Sequence, residues 1–259
     1  MISQQLDFYD MHPDVTAFSS TRHGGYSHGN YAAFNINHYC GDDPTAISRN
    51  REALCSLLDI DAAHLVLPHQ VHQTRVARVD ASLPGLSPAE RQQSLEGADA
   101  VMTAVPGLCI GVSTADCIPL LVYDPRQHAA CAIHAGWRGT VQRIVGAALS
   151  AMAAAYGSRP ADLLVQIGPG ISRDSFEVGD EVYEAFREAG FCMAAISERR
   201  SKWHIDLPAC NRLQLLEAGV TEQHVRLSPV CTFKQADSYF SARRLGINSG
   251  RIFTGILMK

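Results

Sequence analysis

Four short apolar segments follow one another between residues 99 and 134, and no helical segment separates them. They span residues 100–102, 108–112, 118–123 and 129–133. Apolar runs of this length, bounded by turn residues, predict buried strands. Four strands before the first long helix of the central region do not fit a regular βαβ alternation. The pattern therefore predicts a mixed α/β fold with a mixed sheet or two layered sheets, and it argues against a doubly wound parallel sheet.

The rest of the chain alternates helical and strand-like segments. Asp43-Pro44 predicts a helix start, and the apolar spacing that follows continues to Asp59. We also expect helices at 140–157, 181–189 and 213–218, and strands within 64–79 and at 163–167 and 251–258. Residues 82–94 hold two prolines and a glycine with almost no apolar periodicity, which predicts a mobile loop. No repeat or low-complexity linker interrupts the chain, so we expect one domain over residues 1–259.

Composition narrows the class of protein. Charged residues make up 19% and hydrophobic residues 46% of the 259 residues, with a net charge of −4, which is typical of a globular protein. No run of Lys or Arg predicts a nucleic-acid groove, and no segment approaches the roughly 20 apolar residues of a membrane span. Residues 1–7 lack signal-peptide features, and the eight cysteines contain no CxxC pair. We therefore expect reduced thiols, a cytoplasmic location, and a monomer or small homo-oligomer.

Two strand ends carry residues that could bind a metal. Cys117 ends the turn Ser-Thr-Ala-Asp-Cys, which follows the predicted strand 108–112. His134 comes at the end of the predicted strand 129–133 and is followed by Ala-Gly-Trp-Arg-Gly. A third donor comes from Leu-Pro-His-Gln-Val-His, where His69 and His72 compete, and spacing alone does not choose between them. One Cys and two His would leave an open coordination position, which is typical of a catalytic zinc site. The alternatives are a structural thiol and a core histidine.

Several neighbouring residues could assist such a site. Asp116 could orient a ligand or shuttle a proton. Arg138 lies where a helix begins, so it could add a fixed charge to an anion site. Arg243 and Arg244 follow Tyr239-Phe240, where they could grip an anion or stack on a ring, or form a solvated basic turn. No HxH pair occurs in the sequence, which argues against a multicopper oxidase.

Together these segments resemble the YfiH-like family, also called the laccase-domain or polyphenol oxidase family. The resemblance covers nearly the whole chain, and the combination ADC…HAGWRG is its most specific part. The matching segments include Thr21–Gly25, Asn50-Arg51, Gln70–His72, Gly97–Ala100, Thr114–Pro119, His134–Gly139, Ile167–Pro169, Phe176–Gly179, Cys231-Thr232, Phe240–Arg244 and Gly250-Arg251. Two positions depart from the family pattern: Ala242 stands where an aromatic residue is usual, and His69 is unusual before Gln-Val-His.

The resemblance implies a zinc site formed by His72, Cys117 and His134, which selects His72 over His69. It implies that Arg51 binds substrate. It also implies a single layered α/β/α/β domain with mixed sheets.

The activities implied by the resemblance differ. The first is purine nucleoside phosphorolysis of adenosine, inosine, guanosine and methylthioadenosine, with inorganic phosphate as co-substrate, together with adenosine deamination. Arg51, Arg138 and Arg243 or Arg244 would then hold phosphate. The second is an editing amidase that removes a misincorporated serine from a peptidoglycan precursor, using zinc-bound water or Cys117. The third is copper-dependent phenol oxidation, and a zinc-stabilised binding module without catalysis is a fourth reading. We favour the first, with zinc as the metal and copper as the less favoured one.

Overall fold

The computed structural model describes residues 5–259; residues 1–4, which form part of the segment searched for a signal peptide, lie outside the described residues. Residues 5–259 form fourteen strands and eight α-helices. The strands are β1 (Leu6–Tyr9), β2 (Val15–Ser20), β3 (Leu65–Val66), β4 (Val76–Arg78), β5 (Ala100–Thr103), β6 (Cys109–Thr114), β7 (Ile118–Asp124), β8 (Ala129–Ala135), β9 (Leu164–Ile167), β10 (Glu177–Val178), β11 (Ser197–Arg199), β12 (Trp203–Ile205), β13 (Val225–Leu227) and β14 (Ile252–Met258). The helices are α1 (Pro44–Leu58), α2 (Pro88–Leu95), α3 (Trp137–Val141), α4 (Ile144–Tyr156), α5 (Asp180–Glu188), α6 (Met193–Ile196), α7 (Leu207–Glu217) and α8 (Ala242–Leu245).

The strands form three sheets. One has the order β1-β2-β14-β6-β3 and another has the order β13-β9-β7-β8-β5-β4. Each of these two large sheets contains both parallel and antiparallel pairs, such as parallel β3–β6 and antiparallel β6–β14. A small antiparallel sheet has the order β10-β12-β11. The predicted mixed α/β class with mixed sheets is confirmed.

The two large sheets pack face to face. Ile110 of β6, Leu121 of β7 and Ala132 of β8 belong to one buried cluster between them. Helix α1 covers the outer face of the five-stranded sheet, where Leu54 packs with Phe253, and α4 covers the outer face of the six-stranded sheet. The layer order through the large sheets is therefore helix, sheet, sheet, helix. The reason is that each large sheet buries one apolar face against the other.

A 3-10 helix and helix α2 occupy most of residues 82–94, the segment predicted as a loop, so the loop assignment was wrong. Helix α2 starts at Pro88 after a capping box, in which Ser87 accepts from the Glu90 backbone and the Glu90 side chain accepts from the Ser87 backbone. Leu83 and Leu95 are buried in the cluster between the two large sheets. Two buried leucines anchor a segment whose polar composition alone indicated a loop.

Two predicted helices have different limits in the structure. The helix expected over residues 140–157 is divided into α3 and α4, because Arg143 adopts a left-handed conformation with φ of 64°. The helix expected over 213–218 begins earlier, at Leu207, where the Asp206 side chain accepts a hydrogen bond from the Ala209 backbone. Among residues 5–259, no helix combines the length and the apolar character needed to cross a membrane.

Candidate metal centre

The pairing of β7 with β8 brings Cys117 beside His134. In this antiparallel pair Ile118 lies opposite Ala135 and Pro119 lies opposite His134. Cys117 directly precedes β7, so its thiol lies near the end of β8 where the imidazole is. Asp116 has a φ of 86°, a left-handed conformation that turns the chain between β6 and β7. The register of β7 with β8 therefore places both side chains at neighbouring strand ends, as the sequence predicts.

A loop after β3 delivers His72 to the same place. The Nε2 atom of His72 lies 3.9 Å from Sγ of Cys117, and the His72 and His134 rings are 4.8 Å apart, edge to face. His72 itself has a φ of 63°, which is uncommon for a residue other than glycine. The surrounding structure holds this backbone conformation, because the loop donates hydrogen bonds to one buried carboxylate.

That carboxylate belongs to Asp99, which is completely buried. Its Oδ2 accepts from the backbone N–H groups of Val71 (3.2 Å) and Gln73 (2.7 Å), and its Oδ1 accepts from the backbone N–H of His72 (2.9 Å). Its Oδ1 also accepts from Nδ1 of His134 at 2.8 Å. An ionised carboxylate only accepts, so Nδ1 of His134 donates a hydrogen bond to Asp99, and Nε2 is the ring nitrogen that a metal could bind. Asp99 therefore positions two of the three donor side chains.

The three donor side chains fit a metal ion. The ligand atoms offered by His72, Cys117 and His134 all lie within 4.8 Å of one another, and no fourth His, Cys, Asp or Glu joins this group in residues 5–259. In a tetrahedral zinc site a sulfur and a nitrogen ligand are about 3.6 Å apart, close to the 3.9 Å between Cys117 and His72. Gly136 completes the fit, because a Cβ there would lie 2.9 Å from Cδ2 of His72 and 3.0 Å from Sγ of Cys117.

Without a metal, the donors polarise one another. Burial disfavours the Cys117 thiolate, but the charge of His134 and hydrogen bonds from both histidines outweigh burial and lower the pKa of Cys117 to about 6. Burial also disfavours a charged His134, but the Cys117 thiolate and Asp99 raise the pKa of His134 to about 9. Burial disfavours ionised Asp99 as well, but its hydrogen bonds and the charge of His134 lower its pKa. At neutral pH Cys117 is therefore a thiolate, which is the form that binds a metal or attacks an electrophile.

The donors open into a cavity of about 280 Å³, which we call the metal-ligand cavity. Its wall is formed by Asn37, Tyr39, Cys40, His69, Gln70, His72, Ser113, Thr114, Ala115, Cys117, His134, Ala242, Ile247 and Arg251. The side-chain hydroxyls of Ser113 and Thr114 are buried and have no hydrogen-bond partner within the described chain. A buried polar group without a partner costs about 1–3 kcal/mol.

Asp116, predicted to act in the site, is buried and its carboxylate is engaged elsewhere. Its Oδ1 accepts from the Thr232 hydroxyl at 2.6 Å, and its Oδ2 accepts from the backbone N–H of Arg243 at 2.7 Å. These bonds tie the β6–β7 turn to the segment that carries α8. The contacts support an orienting role for Asp116.

The four arginines expected to hold substrate do not line the metal-ligand cavity in the part of the chain that is described. Arg51 lines a neighbouring cavity that shares Tyr39 with the first one. Arg138 lies 4.2 Å over the Trp137 ring.

Arg243 and Arg244 lean onto rings outside the cavity. Arg243 lies 5.5 Å over Phe176 and donates to the backbone carbonyl of Glu177, and Arg244 lies 5.4 Å over Phe233. Both guanidinium groups therefore lie on aromatic rings of the chain itself.

Sequence reasoning missed two residues of the site. Asp99 belongs to the matching segment Gly97–Ala100, but a carboxylate that acts through backbone N–H groups leaves no signal in residue spacing. Arg251 lines the cavity, and its guanidinium donates to the backbone carbonyls of Ile247 (2.9 Å) and Gly250 (3.0 Å). The Gly250-Arg251 segment was the signal that could have indicated Arg251.

His69 lies in the cavity wall but outside the donor group. Its Nδ1 is 2.6 Å from a carboxylate oxygen of Glu96, and the group of possible ligands contains His72 instead. The structure thus brings together the three donors that the resemblance implied.

Comparison with known proteins places the whole chain in one group. A family model described as multi-copper polyphenol oxidoreductase laccase matches residues 16–259. A purine nucleoside phosphorylase of Bacteroides thetaiotaomicron is 46% identical over 248 residues, 95% of this chain and 92% of that protein. Adenosine deaminase RL5, from an unknown prokaryotic organism, is 42% identical over 259 residues, 99% of this chain and 98% of that protein. The crystal structure of the Bacillus licheniformis hypothetical protein YfiH has a TM-score of 0.92 and 27% identity, covering 99% of this chain and 97% of that one.

Proposed function

This chain belongs to the family described as multi-copper polyphenol oxidoreductase laccase, and from that premise we propose that it is a zinc-dependent purine nucleoside phosphorylase that also deaminates adenosine. The observation that carries the proposal is the group of His72, Cys117 and His134 at a cavity. Three protein ligands would leave a zinc ion one open coordination position. Two relatives over 40% identical are named for these two activities. The proposed substrates are adenosine, inosine, guanosine and methylthioadenosine, with inorganic phosphate.

The donor set favours zinc over copper. One thiolate and two imidazoles with an open position are typical of catalytic zinc. A blue-copper site with the same three ligands usually has a weak axial methionine, and no methionine lines this cavity within residues 5–259. When bound, zinc supplies Lewis acidity that lowers the pKa of a water ligand to about 7.

In phosphorolysis, a phosphate oxygen forms a bond to C1′ of the ribose as the bond from C1′ to the base breaks. The base leaves with the electron pair and takes up a proton, and positive charge develops on the ribose. The unpartnered hydroxyls of Ser113 and Thr114 are suited to bind substrate hydroxyls. Arg51 lines the cavity that shares Tyr39, and its guanidinium would attract phosphate. Arg138, Arg243 and Arg244 stay in the proposal as anion contacts that would have to leave their aromatic rings to reach it.

The chain's other residues prepare the site. Asp99 holds the backbone of the His72 loop and the His134 ring in one arrangement, so that Nε2 of His134 would be the atom to bind zinc. Asp116 fixes the turn that carries Cys117 through Thr232. Deamination of adenosine replaces the 6-amino group by a water oxygen and releases ammonia, in the same cavity.

The proposal extends to the catalytic domain, its partners and its location. Residues 1–259 act as one catalytic domain, which is supported by β14, near the C-terminus, lying between β2 and β6. The protein works as a monomer or small homo-oligomer without nucleic acid or a membrane as partner. A cytoplasmic location suits a site that requires the Cys117 thiolate.

The test is turnover of adenosine and inosine by zinc-loaded protein, with and without phosphate. We expect phosphate-dependent release of the base, and phosphate-independent conversion of adenosine to inosine. Cys117→Ser should lose zinc and both activities and remain folded, whereas Cys192→Ser, at an exposed thiol, should keep all three properties. Unchanged nucleosides in the presence of zinc and phosphate would refute the proposal.

Amide hydrolysis is the second candidate, and one observation favours it. The lowered pKa of the Cys117 thiol and the raised pKa of His134 describe a thiolate beside an imidazolium, which is the pair that forms when His134 acts as the base towards the thiol. This reaction would remove misincorporated serine from a peptidoglycan precursor. Mass spectrometry of precursors from a deletion strain tests it, and the absence of the serine-containing precursor there counts against it. Phenol oxidation by a copper-loaded form is the least favoured reading.

A further inference from the structure

One side of the metal-ligand cavity is a wall of planar rings, formed by Tyr39 and His69. The two ring centroids are 4.2 Å apart and the planes differ by 24°, so the rings are stacked. The His38 ring also contacts Tyr39, with centroids 3.8 Å apart. We call these three residues the aromatic wall.

The aromatic wall is held in place before any ligand binds. The backbone N–H of His69 donates to the carbonyl of Leu95 at 3.1 Å, and His69 forms an isolated parallel bridge with Glu96. The Nδ1 of the His69 ring lies 2.6 Å from Oε1 of Glu96. The backbone N–H of Tyr39 donates to the Asn37 side chain at 2.6 Å. Backbone and side-chain bonds therefore fix both rings at the cavity.

The hydrogen bond to Glu96 also determines which ring nitrogen of His69 is available. A carboxylate accepts hydrogen bonds, so Nδ1 of His69 carries the proton. Its Nε2 has no hydrogen-bond partner among residues 5–259. A ligand at this wall can thus use the ring plane and one unoccupied nitrogen.

From this geometry we propose that His69, supported by Tyr39 and Glu96, stacks on the purine ring and so selects the base of the substrate. The inference rests on the proposed function, and it identifies which side of the cavity binds the base and which binds the rest of the nucleoside. A planar heteroaromatic ring can both stack on this wall and form a hydrogen bond with it. A ribose or an aliphatic amide has no aromatic plane and cannot stack. The buried hydroxyls of Ser113 and Thr114 remain for the polar part of the substrate.

The size of the effect follows from stacking. Removing an aromatic partner of a base typically weakens binding by about 5- to 150-fold. The His69 side chain is 35% exposed, so the ring is only partly shielded from water and the low end applies. We expect His69→Ala to weaken adenine binding about tenfold. His69→Phe should restore most of the binding, because phenylalanine keeps the plane.

The experiment is calorimetric titration of zinc-loaded protein with adenine in phosphate-free buffer, beside measurement of KM for inosine. Adenine has no glycosidic bond, so its binding is read without phosphorolysis. The matched control is His128→Ala, which removes a histidine that also contacts a tyrosine, 2.8 Å from Tyr123, but lies beyond the far end of β7. Zinc content and melting temperature should be the same in all variants.

The outcomes separate this inference from the proposed function. Weaker adenine binding in His69→Ala, with recovery in His69→Phe, supports the aromatic wall even if no nucleoside is turned over. Wild-type affinity for adenine and wild-type KM for inosine in His69→Ala overturn it, even if phosphorolysis is observed. No adenine binding by the wild-type protein at millimolar concentration also overturns it. Equal loss in His128→Ala would show a general effect of histidine removal and overturn it as well.

Discussion

Replacing Asp99 by asparagine isolates the carboxylate that positions the metal ligands. Each oxygen of Asp99 accepts two hydrogen bonds: Oδ1 from the His72 backbone and Nδ1 of His134, and Oδ2 from the backbones of Val71 and Gln73. The asparagine amide nitrogen is a donor, so whichever oxygen it replaces, two buried N–H groups lose their acceptor. If it faces His134, the ring must carry its proton on Nε2, which removes the lone pair available to a metal.

The expected magnitudes follow from these contacts. Loss of such a supporting bond lowers metal affinity about 10- to 100-fold, which equals about 1.4–2.7 kcal/mol. Two buried N–H groups without acceptors should lower the free energy of unfolding of the metal-free protein by about 3 kcal/mol. For a chain of this size, that corresponds to a melting temperature roughly 6–12 °C lower.

Zinc affinity is measured by competition with a chromophoric chelator, and stability by thermal unfolding of the metal-free protein. The matched control is Asp124→Asn, a buried aspartate at the far end of β7 whose Oδ1 accepts from the backbones of Arg126 and Gln127. It should leave zinc affinity unchanged. Zinc affinity of Asp99→Asn within twofold of the wild-type value would refute the positioning role.

Three further predictions concern the same cavity. Gly136→Ala should abolish zinc binding, because its Cβ would lie 2.9 Å from the His72 ring; Gly146→Ala, with nothing within 4 Å, should retain zinc. In metal-free protein, iodoacetamide alkylation of Cys117, followed by mass spectrometry, should rise as pH increases through about 6, because the depressed pKa leaves thiolate above that value and thiol below it; a rise only above pH 8 contradicts this. Thr114→Val should leave thermal stability unchanged or slightly higher, because its hydroxyl has no partner in the described chain, and should raise KM for nucleosides; an unchanged KM would exclude the hydroxyl from substrate binding.

Much of the central fold could be predicted because its signals are local. The apolar run after Cys117 and the run up to His134 are strands β7 and β8, and their antiparallel pairing follows from the short turn at Asp124-Pro125. The placement of Cys117 and His134 could therefore be predicted, because both residues belong to one continuous stretch of the chain.

Features that depend on distant contacts could not be predicted from the same local patterns. Helix α2 was missed although Ser87 and Glu90 form a capping box, because the apolar residues that anchor the segment, Leu83 and Leu95, lie at its two ends and give no periodicity. The role of Asp99 depends on backbone groups near residue 72, which only the tertiary structure brings together.

The arginines show the same limit. The charge of Arg243 or Arg244 predicts an anion contact, but their positions depend on Phe176 and Phe233, which come from other parts of the chain. The sequence therefore predicts the charge of these side chains but not the direction in which they point.

The central claim is that an open zinc site formed by His72, Cys117 and His134 acts on purine nucleosides. The most direct measurement is metal analysis of the purified protein combined with product analysis after incubation with inosine and phosphate. The account predicts zinc in stoichiometric amount and the formation of hypoxanthine and ribose 1-phosphate, both lost in Cys117→Ser. Zinc-loaded protein that leaves inosine intact, or turnover that persists in Cys117→Ser, would contradict it.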